Sequence, residues 1–282
     1  MKEGMIVGGF AGFGPVRLAA CSGAAVLFGM TATAARAQTV SFPDFSDTTG
    51  LILTGSATTL ATSDGDVIRL ASEGNTSGSV FSSAPIAADQ FEAEFSFRIS
   101  DPGGVVDGAG EPGADGLAFV VQTVSSDIGG SGGGLGYEGI APSVAIEFDT
   151  FLNGPPIGDP STNHLGVNAG GSVSSLATAD VADDFDNGQV WNARVSYNGS
   201  LLRVVSAPDG LPINTYSLEF AIDVPAEVGQ STAFVGFTGG TAAAFADHDL
   251  LSFSYDSTIP APGAGAGLAL CGLVATRRRR HG

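Results

Sequence analysis

The stretch EFDTFLNGPPIGDPSTNH, residues 147–164, contains three carboxylates and one of the three histidines of the chain. It continues the apolar segment SVAI, and an extended chain has a side-chain period of two. Ile146 and Phe148 therefore lie on one face of a predicted strand. Glu147 and Asp149 lie side by side on the other face, where like charges repel unless a proton or a cation lies between them. The stretch predicts a β-strand that ends at a cation site.

The loop after this strand adds further side chains that can bind metal, namely Asn153, Asp159 and His164. Oxygen ligands suit Ca²⁺, whereas a histidine together with carboxylates suits a first-row metal such as Mn²⁺. The segment can therefore supply two neighbouring metal sites. The alternative is a solvated acidic face without a bound ion.

The rest of the chain has the pattern of an all-β protein. FEAEFSFRIS, residues 91–100, alternates apolar and polar side chains, as a half-buried strand does. GLAFVVQTV, residues 116–124, predicts a buried strand, and ARVSYNGSLLRVV predicts a hairpin with a tight turn at Asn198 and Gly199. With 42 glycines and no long helical period, the chain predicts a two-sheet antiparallel sandwich or jelly roll.

Both ends are predicted to be processing segments around a single domain, residues 38–257. Lys2, Arg17 and the small and apolar run that follows, ending in ARA before Gln38, indicate a signal peptide over residues 1–37 and therefore export. The alternative is a cytoplasmic first helix.

The tail PAPGAGAGLALCGLVATRRRRHG resembles the PEP-CTERM sorting tails of exopolysaccharide-producing bacteria, although Ala261 stands where that name expects glutamate. The resemblance implies that residues 258–282 insert transiently into a membrane and are cleaved near Pro260. The body would then be delivered to the cell surface or matrix. An uncleaved membrane anchor is the alternative, although the apolar stretch is short for a span.

The charge of the predicted body argues against a nucleic-acid partner. Seven of the 11 Lys and Arg residues and one of the 29 acids lie in the two end segments, which leaves four arginines, 28 acids and a net charge of −24. So few cations cannot neutralise several phosphates. Both cysteines, Cys21 and Cys271, also lie in the end segments, so the body is expected to contain no disulfide.

The metal-binding stretch resembles the double metal site of legume-type (L-type) lectins. The pattern is E-x-D-x-F-x-N, followed by D-P and H-x-G, although the GPPIG loop is about one residue longer than usual in the family. Two further segments, ADGLAFVVQ at 114–122 and GGGLG at 132–136, match a strand and a glycine loop of the same family. The resemblance covers about 200 residues and implies a concanavalin-like jelly roll of two antiparallel sheets.

The resemblance implies a role for each matching residue. A transition metal such as Mn²⁺ would be bound by Glu147, Asp149, Asp159 and His164. Calcium would be bound by Asp149, the Phe151 carbonyl, Asn153 and Asp159. These metals would organise the sugar pocket and take no part in catalysis.

The same resemblance implies a sugar site beside the metals. Asp115, presented by a cis peptide after Ala114, would accept hydrogen bonds from two sugar hydroxyls. The other predicted contacts are Gly133, Gly134, Phe151, Asn153, Ala243 and Ala244, the last two from the short loop GGTAAA. That loop carries no long polar side chain, so the sugar is not specified by the sequence.

Three functions follow in order of preference. The first is a secreted or surface lectin without catalysis, which binds a glycan or exopolysaccharide and could form a homo-oligomer through its back sheet. The second is a metal-stabilised structural or adhesive matrix module. The third is a jelly-roll glycoside hydrolase, which needs a second glutamate where this chain has Phe151 and Leu152. We therefore expect no enzyme.

Overall fold

The computed structural model describes residues 38–124 and 127–257, which form a sandwich of two eight-stranded antiparallel sheets. The all-β fold predicted from the sequence is confirmed. The predicted signal peptide and sorting tail, residues 1–37 and 258–282, lie outside the described residues.

Sixteen strands and one short α-helix make up the described part of the chain. In chain order they are β1 (Thr39–Phe42), β2 (Leu51–Gly55), β3 (Thr58–Thr62), β4 (Gly65–Ala71), β5 (Ser77–Ser82), β6 (Ile86–Ala87), β7 (Phe91–Gly104), β8 (Gly116–Gln122), β9 (Ser143–Asp149), β10 (His164–Ala169), β11 (Ala177–Asp180), β12 (Val190–Tyr197), β13 (Leu201–Pro208), β14 (Tyr216–Ala221), α1 (Val224–Val228), β15 (Thr232–Gly240) and β16 (Ala244–Asp256). A 3₁₀ turn, Gly132–Gly134, precedes β9. No helix in these two ranges is long and apolar enough to cross a membrane.

The back sheet has the strand order β14-β13-β12-β7-β16-β4-β3, and β1 also pairs with β16. Its long strand β7 alternates as predicted, with buried residues facing the core and exposed residues facing outward. Outward-facing Glu94 forms an ion pair with Arg194 of β12 at 2.5 Å. Strict alternation thus gives this sheet one apolar face and one polar face.

The front sheet has the order β11-β10-β9-β8-β15-β5-β2, and β6 also pairs with β15. Every residue of β8 and β9 is buried, because both faces of these central strands are covered. One face packs on the aromatic core between the sheets, where the Phe97 and Phe148 rings lie 5.1 Å apart. The other face packs under the glycine-rich segment through Leu135 and Tyr137. The front sheet therefore carries a covered polar site on its outer side.

The predicted hairpin between β12 and β13 is present, but its turn lies one residue later than expected. The Asn198 amide donates to the Leu201 carbonyl, so Gly199 and Ser200 are the central residues. Gly199 has φ +97°, as a type II′ turn requires at its first central position. The Asn198 side chain instead accepts hydrogen bonds from the amides of Ser200 and Leu201.

Candidate functional site

Pairing of β9 with β10 brings the predicted metal ligands together. His164 lies opposite Asp149 in the register of the two strands, and Gly166 lies opposite Glu147. Gly166 leaves room for the neighbouring carboxylate, since a methyl group added there would lie 2.4 Å from Glu147 Oε2. The strand alternation predicted for this segment therefore directs both carboxylates away from the core.

Asp149, Asp159 and His164 each offer one ligand atom within 4.8 Å of the others. His164 is fully buried, and neither ring nitrogen makes a hydrogen bond of normal geometry with the described residues. Burial lowers the pKa of His164 to about 4, so the imidazole is neutral at pH 7. A buried neutral histidine that faces two carboxylates fits a divalent metal.

The two carboxyl groups in this cluster are difficult to ionise without a cation. Burial, followed by the negative charges of Asp159 and Glu147, raises the pKa of Asp149 well above its ordinary value. Burial also raises the pKa of Asp159 to about 6. The donors therefore need a proton or a metal to offset their charge.

Glu147, predicted as a ligand of the same metal, lies outside the group that converges within 4.8 Å. The Tyr137 hydroxyl donates to one of its carboxylate oxygens, and Ser175 donates to the other at 3.0 Å. Burial raises the pKa of Glu147 to about 7, although both hydrogen bonds act in the opposite direction. Tyr137 and Ser175 were missed by the sequence reasoning, because both contacts form only when separate segments meet over the front sheet.

The loop between Phe151 and Asp159 is held to the metal cluster by its backbone. The Phe151 amide donates to Asp149 Oδ1 at 2.8 Å, and the Asn153 amide donates to Asp159 Oδ2 at 2.8 Å. The Asp159 amide donates to the Asn153 carbonyl at 3.0 Å. Asn153 Oδ1 is buried and has no hydrogen-bond partner among residues of the two described ranges. The loop is therefore fixed, while one acceptor of its asparagine stays available.

Asp115 lies next to this loop and follows a cis peptide bond from Ala114, as the resemblance implied. Its side chain is 3% exposed, and Oδ2 has no hydrogen-bond partner in the described part of the chain. Burial, and then the charge of Asp159, raises the pKa of Asp115 to about 7. The Thr150 amide donates to the Asp115 carbonyl at 3.1 Å. Asp115 thus presents an unsatisfied acceptor at a position fixed by its backbone.

His248 of β16 positions the same segment from the core side. Its Nε2 accepts the Gly116 amide hydrogen at 3.2 Å. Burial lowers the pKa of this fully buried histidine to about 4, which keeps the nitrogen free to accept. His248 thus has a structural hydrogen-bonding role.

The glycine loop closes the space between Asp115 and Asn153. A methyl group added at Gly132 would lie 3.7 Å from Asp115 Oδ2, and one added at Gly133 would lie 2.9 Å from Asn153 Oδ1. The Gly134 amide already donates to the Ser131 carbonyl at 3.2 Å. Of the two predicted backbone donors, the half-buried Gly133 is therefore the better placed one.

The remaining predicted contacts lie around the short loop before β16. Ala243 is exposed, and Ala244 is 2% exposed and pairs with Gly104 of β7. Ala242, which was not predicted, is the loop residue nearest the glycine turn, since its Cβ would lie 2.9 Å from a methyl group added at Gly132. The roles of Ala243 and Ala244 in sugar contact stay predictions, as do those of the other site residues.

Comparison with known proteins gives consistent matches to one family. The family model described as legume lectin domain matches residues 37–267, which include all of the described residues. Agglutinin-2 of Cladrastis kentukea is 32% identical over 182 residues, which are 60% of this chain and 58% of the agglutinin. The bark lectin of Styphnolobium japonicum is 30% identical over 250 residues, which are 80% of this chain and 87% of that lectin.

Solved structures agree with the sequence matches. The crystal structure of basic winged bean lectin with Tn-antigen has a TM-score of 0.66 at 26% identity, and the match covers 80% of this chain and 100% of that chain. The predicted jelly-roll sandwich is therefore confirmed. The expectation of no enzyme is also confirmed, because the similar proteins are lectins.

Proposed function

The chain belongs to the legume lectin domain family, and we propose that it binds carbohydrate, without catalysis, in a pocket between Asp115, Gly133 and Asn153. The observation that carries this proposal is a pair of buried acceptors on either side of the glycine turn, Asp115 Oδ2 and Asn153 Oδ1, for which the described residues supply no hydrogen-bond partner. Buried polar atoms are normally hydrogen-bonded, and an unpaired one is costly. A ligand rich in hydroxyl groups would satisfy both.

Each pocket residue has a distinct task. Asp115 accepts hydrogen bonds from sugar hydroxyls, and Asn153 exchanges hydrogen bonds through its side-chain amide. The Gly133 amide donates to a sugar oxygen, since the missing side chain lets the backbone approach. The Phe151 ring, half-buried in the same loop, offers an apolar surface to the face of the sugar ring.

The metal donors are linked to this pocket through the loop, because the Asn153 amide donates to Asp159 at 2.8 Å. The family generally binds Ca²⁺ and Mn²⁺; bound ions would offset the charges of Asp149 and Asp159 and order the loop between Phe151 and Asp159. His164 and Glu147 complete the predicted set, with Glu147 oriented by Tyr137. Without a cation, repulsion between these carboxylates opposes the arrangement that presents Asn153.

The affinity of a single pocket is expected to be low. A net hydrogen bond contributes about 1 kcal/mol, and the pocket offers only a few. Useful binding then depends on several pockets engaging one polysaccharide, because linked sites raise the effective concentration. A glycan or exopolysaccharide with repeated units is the partner class that meets this requirement.

Export and surface delivery form part of the proposal. Their support is the composition of residues 1–37 and 258–282, together with an acidic body that contains no cysteine. Mass spectrometry of protein recovered from outside the producing cell tests this directly. We expect a start at Gln38 and, if the tail is sorted and cleaved, an end near Pro260.

Association through the back sheet would supply the multivalency. The outer face of that sheet is polar, with ion pairs such as Arg203–Glu219 at 2.9 Å and a Ser96–Ser252 hydrogen bond at 2.6 Å. Light scattering coupled to gel filtration gives the number of chains per particle. A monomer at all concentrations would remove the back sheet as the source of avidity.

A glycan array probed with the purified protein tests the sugar-binding proposal. We expect binding of the wild type to one or more related glycans, with loss of signal for Asp115→Asn and full signal for Asp66→Asn. Asp66 is exposed on the back sheet and matches the charge change. Absence of any glycan signal from folded, metal-loaded wild type would contradict the proposal and favour a structural matrix module.

A further inference from the structure

A second acidic cleft is lined by none of the residues of the Asp149–Asp159–His164 group. It has a volume of about 20 Å³ and is lined by Glu111, Thr150, Thr162, Asn163, Asp184 and Asp186. A space of roughly 10–15 Å³ is enough for one water molecule. The cleft therefore has the size of a single water or a single small ion.

No cationic side chain of the described residues neutralises the carboxylates around this cleft. Burial, followed by the charges of Asp184 and Glu111, raises the pKa of Asp186 to about 6. The described residues contain no lysine and four arginines, each in an ion pair elsewhere. These pairs are Arg69–Asp249, Arg98–Asp64, Arg194–Glu94 and Arg203–Glu219.

Thr150 gives an independent indication of a ligand. This residue is 5% exposed and lines the cleft, and its Oγ1 is buried without a hydrogen-bond partner within residues 38–124 and 127–257. A hydroxyl can almost always rotate to find a partner, so a buried orphan points to a group that binds there. The carboxylates of the cleft and the Thr150 hydroxyl thus favour the same kind of ligand, a positively charged species that binds oxygen atoms.

The loop that carries the two aspartates is fixed in advance. The Asn163 side-chain amide donates to the carbonyls of Val181 and Asp183, at 3.2 and 2.6 Å. Its Oδ1 accepts the Phe185 amide hydrogen at 3.1 Å. The Asn163 side chain thus makes three hydrogen bonds to the backbone of this loop. Asp184 and Asp186 are held at the cleft before a ligand binds, so binding does not have to order the loop.

We propose that this cleft binds a divalent cation of the Ca²⁺ type through Asp184, Asp186, Glu111 and the Thr150 hydroxyl. All of these donors are oxygen atoms, which hard cations prefer. In the described part of the chain, the carboxylate and histidine atoms that converge within 4.8 Å belong to Asp149, Asp159 and His164. The carboxylates of the cleft do not converge this closely. The cleft ion therefore keeps water molecules between itself and some of the carboxylates.

Such an ion would connect three segments, one of which leads to Asp115. The Thr150 amide donates to the Asp115 carbonyl at 3.1 Å. Asp186 also packs against the same segment, because a methyl group added at Gly113 would lie 2.1 Å from Asp186 Oδ2. Cation binding in the cleft would therefore restrain the start of β8, whether or not the chain binds sugar.

The number of calcium ions per chain tests the proposal. Full-length protein is treated with EDTA, equilibrated with Ca²⁺ by dialysis, and analysed for bound calcium by elemental mass spectrometry. The Asp184→Asn/Asp186→Asn variant is expected to bind one ion fewer than the wild type. The control Asp66→Asn/Asp101→Asn removes two exposed charges outside the cleft and is expected to match the wild type.

Two further variants separate this cleft from the other donor group. Asp159→Asn should leave the cleft ion in place, and Thr150→Val should weaken calcium binding at the cleft about tenfold without changing the fold. Equal calcium counts in the cleft variant and its control, with unchanged affinity in Thr150→Val, would show that the cleft holds only water. Neither count depends on sugar binding, so failure of the lectin proposal would be seen separately on the array.

Discussion

Asp115 is the side chain on which sugar binding depends most directly. It is almost completely buried, its Oδ2 lacks a partner among the described residues, and its backbone is tied to Thr150 and Gly240. An acceptor fixed in this way costs little to order when a ligand binds. Asp115 therefore contributes more to glycan affinity than the exposed residues around the pocket.

We predict that Asp115→Asn lowers glycan affinity about 10- to 100-fold, because an ionised acceptor of hydroxyl hydrogens is lost. The fold should be retained, since the amide has the same shape. Isothermal titration with the best glycan measures the change, with Asp66→Asn as control. Unaltered affinity would place the sugar elsewhere.

Tyr137 is a positioning residue for Glu147. Its hydroxyl donates to the Glu147 carboxylate, and both side chains are buried. Contacts that orient a metal ligand typically change metal affinity by about 10- to 100-fold. Tyr137→Phe is therefore expected to weaken Mn²⁺ binding by about that amount while calcium binding changes less.

Tyr255→Phe is the matched control for this prediction, because the hydroxyl of the buried Tyr255 donates to the Ala87 carbonyl, which is not among the proposed metal donors. Electron paramagnetic resonance of Mn²⁺ titrations gives the affinities of both variants. Equal Mn²⁺ affinity in Tyr137→Phe and wild type would leave Tyr137 with a packing role only.

At the scale of single elements, the segment formed by β9, the following loop and β10 contains most of the site residues that the sequence could predict. Asp149, Asp159 and His164 lie within 16 residues of one another, so spacing along the chain was enough to predict that they meet. Tyr137, Ser175 and Ala242 come from three other segments. Nothing in their local sequence indicates the site, because only sheet packing brings them to it.

The β12–β13 hairpin shows how precisely a turn can be placed from the sequence. Asn198 and Gly199 correctly indicated a turn, but the side chain of Asn198 satisfies two amides and moves the central pair to Gly199 and Ser200. Such competition between side-chain and backbone hydrogen bonds depends on geometry that the dipeptide alone does not contain.

We predict that Gly199→Ala destabilises the protein by roughly 1 kcal/mol, because φ +97° is unfavourable for a residue with a Cβ. Urea unfolding measures the change, and Ser63→Ala on another exposed turn is the control. The opposite result, an alanine variant as stable as wild type, would mean that the turn rearranges freely.

At the scale of the whole molecule, buried charge governs stability. In the metal-free protein the pKa values of Asp115 and Glu147 are raised to about 7 and that of Asp159 to about 6. Their stabilising contribution is complete below the ordinary carboxyl pKa of about 4 and is lost as the pH rises through 6 to 7. His164 and His248 act in the opposite direction, because their pKa values are lowered to about 4.

Unfolded histidine, with a pKa of about 6.5, loses its remaining proton between about pH 6.5 and 7.5, so the opposing contribution of the histidines fades over this interval and the carboxyl groups dominate. We therefore predict that the melting temperature of the EDTA-treated protein falls between about pH 6.5 and 7.5. Added Ca²⁺ and Mn²⁺ should abolish this fall, since bound cations replace the protons. A metal-free protein that becomes more stable over the same interval would contradict the assignment of these buried groups.

We propose that the cations and the sugar pocket form one functional unit, and a single titration tests this coupling. The best glycan from the array is titrated into full-length protein with Ca²⁺ and Mn²⁺, after EDTA treatment, and after the metals are restored. We predict measurable binding, its loss on chelation and its full recovery. Glycan affinity that is unchanged by EDTA, in protein shown by elemental analysis to be metal-free, would show that the sugar pocket does not depend on the cations.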